Sequence, residues 1–212
     1  MSFAGIPSAA FDFYDDLEID NSKSFWDRHK SVYEEAVKAP MAALMAELEK
    51  EFGEAKMFRP YRDVRFAKDK TPYKTHQGAY VSAAAATGWY PEVAAAGFRV
   101  GAGFYDASTA RLTAVRRAIE SPAGIELEKL LKRLGRAGWD LGGDMVKTAP
   151  RGYDPHHPRI ELLRHKSMTL GKSYGFDPII HTADLAVQVR RDWRAVAPFV
   201  EWVCLHTAGV AQ

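Results

Sequence analysis

Only one cysteine, Cys204, stands among 212 residues, so neither an intrachain disulfide nor a multi-cysteine metal site can form. No apolar run reaches the roughly 18 residues that a membrane-spanning helix needs. The segment from Met1 to Ile6 lacks the basic flank and apolar core of a secretory signal. Together these absences lead us to expect a cytoplasmic protein with no membrane partner. Net charge is nearly missing as well, at +2, whereas a nucleic-acid-binding domain is usually clearly basic. What is present is ordinary globular composition. Hydrophobic residues make up 47% and aromatics 12%, too many for a disordered chain.

The small net charge hides an uneven distribution. Residues 1–55 carry 5 Lys/Arg against 12 Asp/Glu, and residues 56–212 carry 24 against 15. Within residues 56–75 there are 7 basic and 2 acidic side chains. The pattern suggests an acidic helical segment followed by a basic working region, although solvated faces of opposite sign would leave the same trace.

Periodicity divides the chain into helical, extended and mixed stretches. Ser8 is placed to cap a helix bearing Phe11, Tyr14 and Leu17. After Asp20-Asn21-Ser22 comes a second helix with Phe25, Trp26, His29, Tyr33 and Val37. Pro40 suits the first turn of a third, which Gly53 closes. Short β candidates follow at Met57 to Pro60 and Val64 to Phe66. Gln77 to Ala84 and Trp89 to Ala95 read as strands around a turn at Thr87-Gly88, and Phe98 to Phe104 alternates with period two. Gly101 and Gly103 share one face of that last strand, which permits close approach of a ligand or another backbone. Helices are expected from Ser108 and from Ser121-Pro122, then a loop over Gly142 to Pro158. A helical turn (Pro158 to Leu163), a strand (Lys166 to Tyr174) and a long helix (Thr182 to His206, broken or kinked at Pro198) complete the reading. We therefore expect a single α+β domain, 1–212. It would have N-terminal helices (8–53), a central antiparallel sheet (56–105) and a mixed, largely helical remainder (108–206).

Three clusters carry candidate chemistry. In the first, Arg62, Arg65, Lys68, Lys70 and Lys74 crowd around Asp63 and Asp69. Guanidinium groups grip phosphate or carboxylate through paired hydrogen bonds, and lysines add point charge. The spacing is not that of a Walker A loop. The second is the stretch from Pro150 to Pro158, where Arg151, Asp154, His156 and His157 lie in a turn-rich segment. Adjacent histidines in extended chain point apart, which makes a single shared metal awkward. Capping of the loop is the simpler role. The third brings Arg164 and Lys166 between a helical turn and a strand. Cys204 falls in an apolar helical stripe and reads as core.

In order and over nearly its whole length, the chain resembles a bacterial family of uncharacterised proteins, domain of unknown function 2461. The likeness rests on Asn21-Ser22-Lys23-Ser24-Phe25-Trp26, on Arg62-Asp63-x-Arg65-Phe66-x-Lys68-Asp69-Lys70-x-Pro72-Tyr73-Lys74-Thr75 and on Gly101-x-Gly103-x-Tyr105. Arg116, Lys147-x-x-Pro150-Arg151-Gly152-Tyr153-Asp154-x-x-His157-Pro158 and Leu163-Arg164-x-Lys166 continue it. The resemblance implies a fold and a set of polar signature residues that meet in space. It implies no reaction, cofactor or partner.

From these residues we expect a basic pocket for a small phosphate- or carboxylate-bearing molecule. Arg62, Arg65, Lys68, Lys70, Lys74, Arg116, Arg151, Arg164 and Lys166 would supply charge. Asp63, Asp154 and His157 would orient them or transfer protons, and Tyr73, Tyr105, Tyr153 and Trp26 would wall the pocket. No metal or other cofactor is called for. The alternative is a non-catalytic module that binds a protein or, less readily, a nucleic acid through an open basic surface.

Overall fold

The computed structural model describes residues 2–211. Helices at both ends of the chain and a central six-stranded antiparallel sheet make this an α+β protein, as expected. The N-terminal part holds α1 (Ala9–Ile19), α2 (Lys23–Val32), a π-helix (Tyr33–Lys38) and α3 (Ala39–Phe52). The strands are β1 (Ala55–Met57), β2 (His76–Ala84), β3 (Thr87–Ala94), β4 (Gly97–Phe104), β5 (Asp140–Gly142) and β6 (Met168–Gly175). They are ordered β1-β2-β3-β4-β6-β5, with Ala55 opposite Val81 and Asp140 opposite Gly171 at the two edges. Between and after them come α4 (Thr109–Glu120), α5 (Ala123–Arg136), α6 (Ile160–Leu163), a 3-10 turn (Pro178–His181) and α7 (Asp184–His206).

By its internal contacts the chain divides into two compact units. The first comprises the residues up to Val81, Tyr90–Val100 and Ser173–Arg191. The second comprises Ser82–Trp89, Gly101–Lys172 and the residues from Asp192 on. Segment 8–53 falls whole in the first unit, while 56–105 and 108–206 are each divided between the two. In the first unit Leu17, Val37, Leu44, Leu48, Val81, Val93, Phe98 and Val189 are buried. In the second, Val115, Ile119, Leu127, Trp139, Met168, Trp193 and Phe199 are. Burying one such side chain contributes roughly 1.5–3 kcal/mol.

The second and third expected helices are one continuous run from Lys23 to Phe52, interrupted in register rather than in direction. Pro40 explains the interruption. Its nitrogen has no proton for the carbonyl four residues back, and its ring crowds that carbonyl. The backbone widens to π geometry there, and the Ala39 N–H bonds to Glu34, five residues back. Ser22 caps α2 by accepting the Phe25 N–H at 3.2 Å. Ser8 makes no such bond, because its own backbone is already helical (φ −56°, ψ −36°).

Other local expectations shift. Val64 to Phe66 is loop, not strand, and the Met57 to Pro60 strand is displaced to Ala55–Met57. The β2–β3 turn is Ala85-Ala86 instead of Thr87-Gly88. Thr87 is fully buried inside β3, and Ala86 takes the left-handed conformation (φ 53°) that the glycine suggested. The short strand Asp140–Gly142 goes unannounced in the sequence. At Gly103 the expected close approach is that of another backbone. A Cβ there would sit 2.2 Å from the Met168 carbonyl oxygen. Cys204 is half-buried on α7, with its thiol pushed up by burial.

Candidate functional site

In the first unit the segment 60–74 closes on itself. The Arg62 N–H bonds to the Pro72 carbonyl at 2.8 Å and the Lys74 N–H to the Pro60 carbonyl at 2.7 Å. Within the loop so formed, charges satisfy one another. Arg62 donates to Asp69 and Thr71. Arg65 grips Asp63 through Nε (3.0 Å) and Nη2 (2.7 Å), and the Lys70 ammonium donates to the Val64 carbonyl at 2.9 Å. Arg62 and Thr71 together hold Asp69 down to about 2, and Arg65 holds Asp63 below the usual carboxylate range. Lys68 is exposed. Lys74 stands over the Phe58 ring at 5.1 Å.

The base of this loop is fastened to the start of α2. Asn21 donates its Nδ2 to the Tyr73 carbonyl at 3.0 Å, and its Oδ1 accepts the Tyr73 N–H at 3.1 Å. That double bond sets Tyr73 flat against Trp26, with ring centroids 4.3 Å apart and planes 6° apart. Tyr61 leans on both rings.

Beside these rings opens a cleft of about 360 Å³. Trp26, Tyr33, Phe58 and Tyr61 give it aromatic walls, and Lys30, Lys38 and Arg59 give it cationic ones. Tyr33, Glu34 and Lys38 all come from the π-helix, so the register change caused by Pro40 shapes this wall. Gln77 ties its floor. It accepts the Tyr33 hydroxyl at 2.7 Å and donates to the carbonyls of Phe58 (2.9 Å) and Gly78 (2.8 Å). Burial, then Glu34 and Tyr61, push the Tyr33 hydroxyl up to about 12, so it remains a neutral donor at pH 7.

Two cations lining the cleft are uncommitted. Lys30 and Arg59 make no side-chain hydrogen bond or ion pair among the described residues, while Lys38 pairs with Glu34 at 2.7 Å. The Trp26 ring is only 3% exposed, and its indole N–H, itself closed off from solvent, has no acceptor among them. A buried donor without an acceptor is uncommon in a folded protein.

The remaining sequence candidates belong to the second unit, and there they hold backbone. Asp154 accepts the His156 N–H at 2.8 Å, and His157 Nδ1 accepts the Arg159 N–H at 3.0 Å. Arg116 donates to the carbonyls of Leu163 (2.9 Å) and His165 (3.2 Å), satisfying the end of α6. Arg164 donates to Val146 and pairs with Glu161 at 3.0 Å. Arg151 and Lys166 are exposed. Of the four expected aromatic walls, Trp26 lines the cleft and Tyr73 stacks behind it. Tyr105 is exposed and Tyr153 half-buried in the second unit. Among the described residues, no three His, Cys, Asp or Glu side chains gather as a metal site would require. Nor, among the described residues, is any helix long and apolar enough to cross a membrane.

Residues 9–202 match the family described as conserved hypothetical protein (DUF2461). The chain belongs to that family. No curated protein matched it. In this DUF2461 member, the cleft residues Lys30, Lys38, Arg59 and Gln77 were missed by sequence reasoning. Trp26, Lys30 and Tyr33 do share a helical face, spaced four and three residues apart. Lys38 joins them only through the π-turn.

Proposed function

We propose that the first unit binds a small anionic molecule, phosphate- or carboxylate-bearing, with a flat or apolar body. The aromatic walls would take the body, and Lys30 and Arg59 would take the charge. The observation that supports this most is the pair of uncommitted cations, Lys30 and Arg59, beside aromatic walls. The volume falls at the lower end of small-molecule pockets, roughly 300–1,000 Å³. On this reading Arg62, Arg65 and Lys70 shape the neighbouring loop, and Asp63, Asp154 and His157 hold turns instead of transferring protons.

A thermal-shift panel of phosphate, nucleotides, sugar phosphates and dicarboxylates tests it. A ligand at 100 times its Kd stabilises the native state by roughly 2.7 kcal/mol. The reading expects at least one selective shift, lost in Lys30→Gln/Arg59→Gln. Shifts from ligands with a flat or apolar body that persist in that variant, or none at all, count against it.

One feature favours the second reading, a partner-binding module. Phe66 is 97% exposed between Arg65 and the exposed Lys68. An aromatic ring so exposed among cations suits an acidic partner surface. Binding through it would weaken steeply with salt and be lost in Phe66→Ala.

A further inference from the structure

Apart from the cleft, the first unit holds a second polar cluster, built around a buried carboxylate. Glu92 of β3 is 7% exposed. Its Oε2 accepts the Tyr90 hydroxyl at 2.6 Å, and its Oε1 accepts Arg99 Nε of β4 at 2.7 Å. His76, at the start of β2, brings Nε2 to 3.9 Å from Oε2, too far for a hydrogen bond. Each Glu92 oxygen thus accepts one hydrogen bond, and together the two fix Tyr90 and Arg99 in place.

The donors around it are not saturated. Arg99 spends only its Nε on Glu92, and its two terminal nitrogens have no acceptor among the described residues. Neither ring nitrogen of His76 has a hydrogen bond there, nor has the Lys74 ammonium, which rests over Phe58. The groups that act on His76 are Glu92, Lys74 and Arg99. Tyr90 lies beyond Glu92 on β3, and Tyr14 of α1 is influenced by both Glu92 and Tyr90. Two fixed cations against one carboxylate leave a local excess of positive charge. Protonation of His76 would raise it further.

We propose that Lys74, His76 and Arg99 form an oxyanion site, of a kind suited to a phosphate or sulfate group, that fills as His76 takes up a proton. A tetrahedral dianion offers enough acceptors for all three side chains, and charge-assisted hydrogen bonds of this kind are the strong ones. Burial keeps the free imidazole neutral at pH 7, with Lys74 and Arg99 adding to the effect. A bound dianion reverses that balance, so anion and proton bind together. The site takes none of the cleft's cations as a ligand group, although Arg59 of the cleft acts on Lys74.

Sulfate is the suitable probe, because it stays dianionic across the range while phosphate itself titrates. Calorimetric titration with sulfate at pH 8 and pH 5.5 should give a Kd roughly tenfold tighter at the lower pH. The ring resonances of His76, assigned by their loss in His76→Gln, should move with sulfate and titrate higher in its presence. His76→Gln should remove the pH dependence. Arg99→Gln risks the fold by stripping a partner from buried Glu92, so Lys74→Gln is the safer companion. It should weaken binding about tenfold with the thermal midpoint held. Lys30→Gln, which leaves Arg59 in place, should leave sulfate binding here intact. No sulfate binding, or binding with His76 unmoved, or binding unchanged in both His76→Gln and Lys74→Gln, overturns the proposal.

Discussion

Asn21 and Tyr73, 52 residues apart, are joined by two hydrogen bonds in which one side-chain amide imitates a strand partner. Through this pair the cap of α2 holds the neck of the cationic loop and sets the Trp26–Tyr73 stack. Asn21→Ala leaves the N–H and the carbonyl of Tyr73 unpaired on a residue that is 5% exposed. We predict a loss of about 2–3 kcal/mol in chemical denaturation. A loss below about 0.5 kcal/mol would show that the neck is held by other means.

The same loop titrates in acid. The folded-state pKa of Asp69 is lowered from 3.8 to about 2 by Arg62 and Thr71. A depressed carboxylate contributes stability above its unfolded value and loses that contribution as pH falls through the folded one. The Asp69 contribution is thus present above pH 3.8 and disappears towards pH 2. The carboxyl carbon resonance of Asp69 should show a midpoint near 2, and in Arg62→Gln the midpoint should return towards 3.8. A wild-type midpoint near 3.8 would mean that the Arg62 contact is absent in solution.

Arg65 is the contrasting case. Its side chain is 77% exposed and engages only Asp63, two residues away. Local exposed pairs contribute little. Arg65→Ala should leave the denaturation midpoint essentially where it is and leave ligand shifts in the cleft untouched. Loss of those shifts would place the ligand at the loop instead.

How much of this was legible in the sequence varied with the range of the cause. The α+β class, the antiparallel strands and the Ser108 cap follow from local pattern, and they stand, whereas the Ser8 cap does not. The turn at Ala85-Ala86 was hidden because burial of Thr87 outweighed the glycine beside it. The charged motif 62–74 was legible as unusual. That Asp63 and Asp69 could hold cations in structural pairs was open from the sequence; which arginine each takes, two and seven residues away, composition does not reveal. The cleft cations Lys30, Lys38 and Arg59 stand apart in sequence and come together through the π-turn at Pro40 and the β1 edge. Glu92 and Arg99 looked like ordinary strand charges, since nothing local says which face of a strand is covered.

Trp26 tests the wall. Trp26→Phe keeps an aromatic surface against Tyr73 but shortens the ring that lines the cleft. We predict a modest change in thermal midpoint and a weaker affinity for any ligand with a flat or apolar body, because part of the stacking surface is lost. Equal affinity would mean that the Trp26 ring takes no part.

The most direct test of the cleft follows the Trp26 indole N–H by NMR during titration with the anion that gives the largest thermal shift. There are five tryptophans, and Trp26→Phe identifies the resonance. The account predicts a saturable downfield movement of that signal, larger than for the other four, and abolished in Lys30→Gln/Arg59→Gln. A ligand that stabilises the protein while leaving the Trp26 signal in place would contradict it.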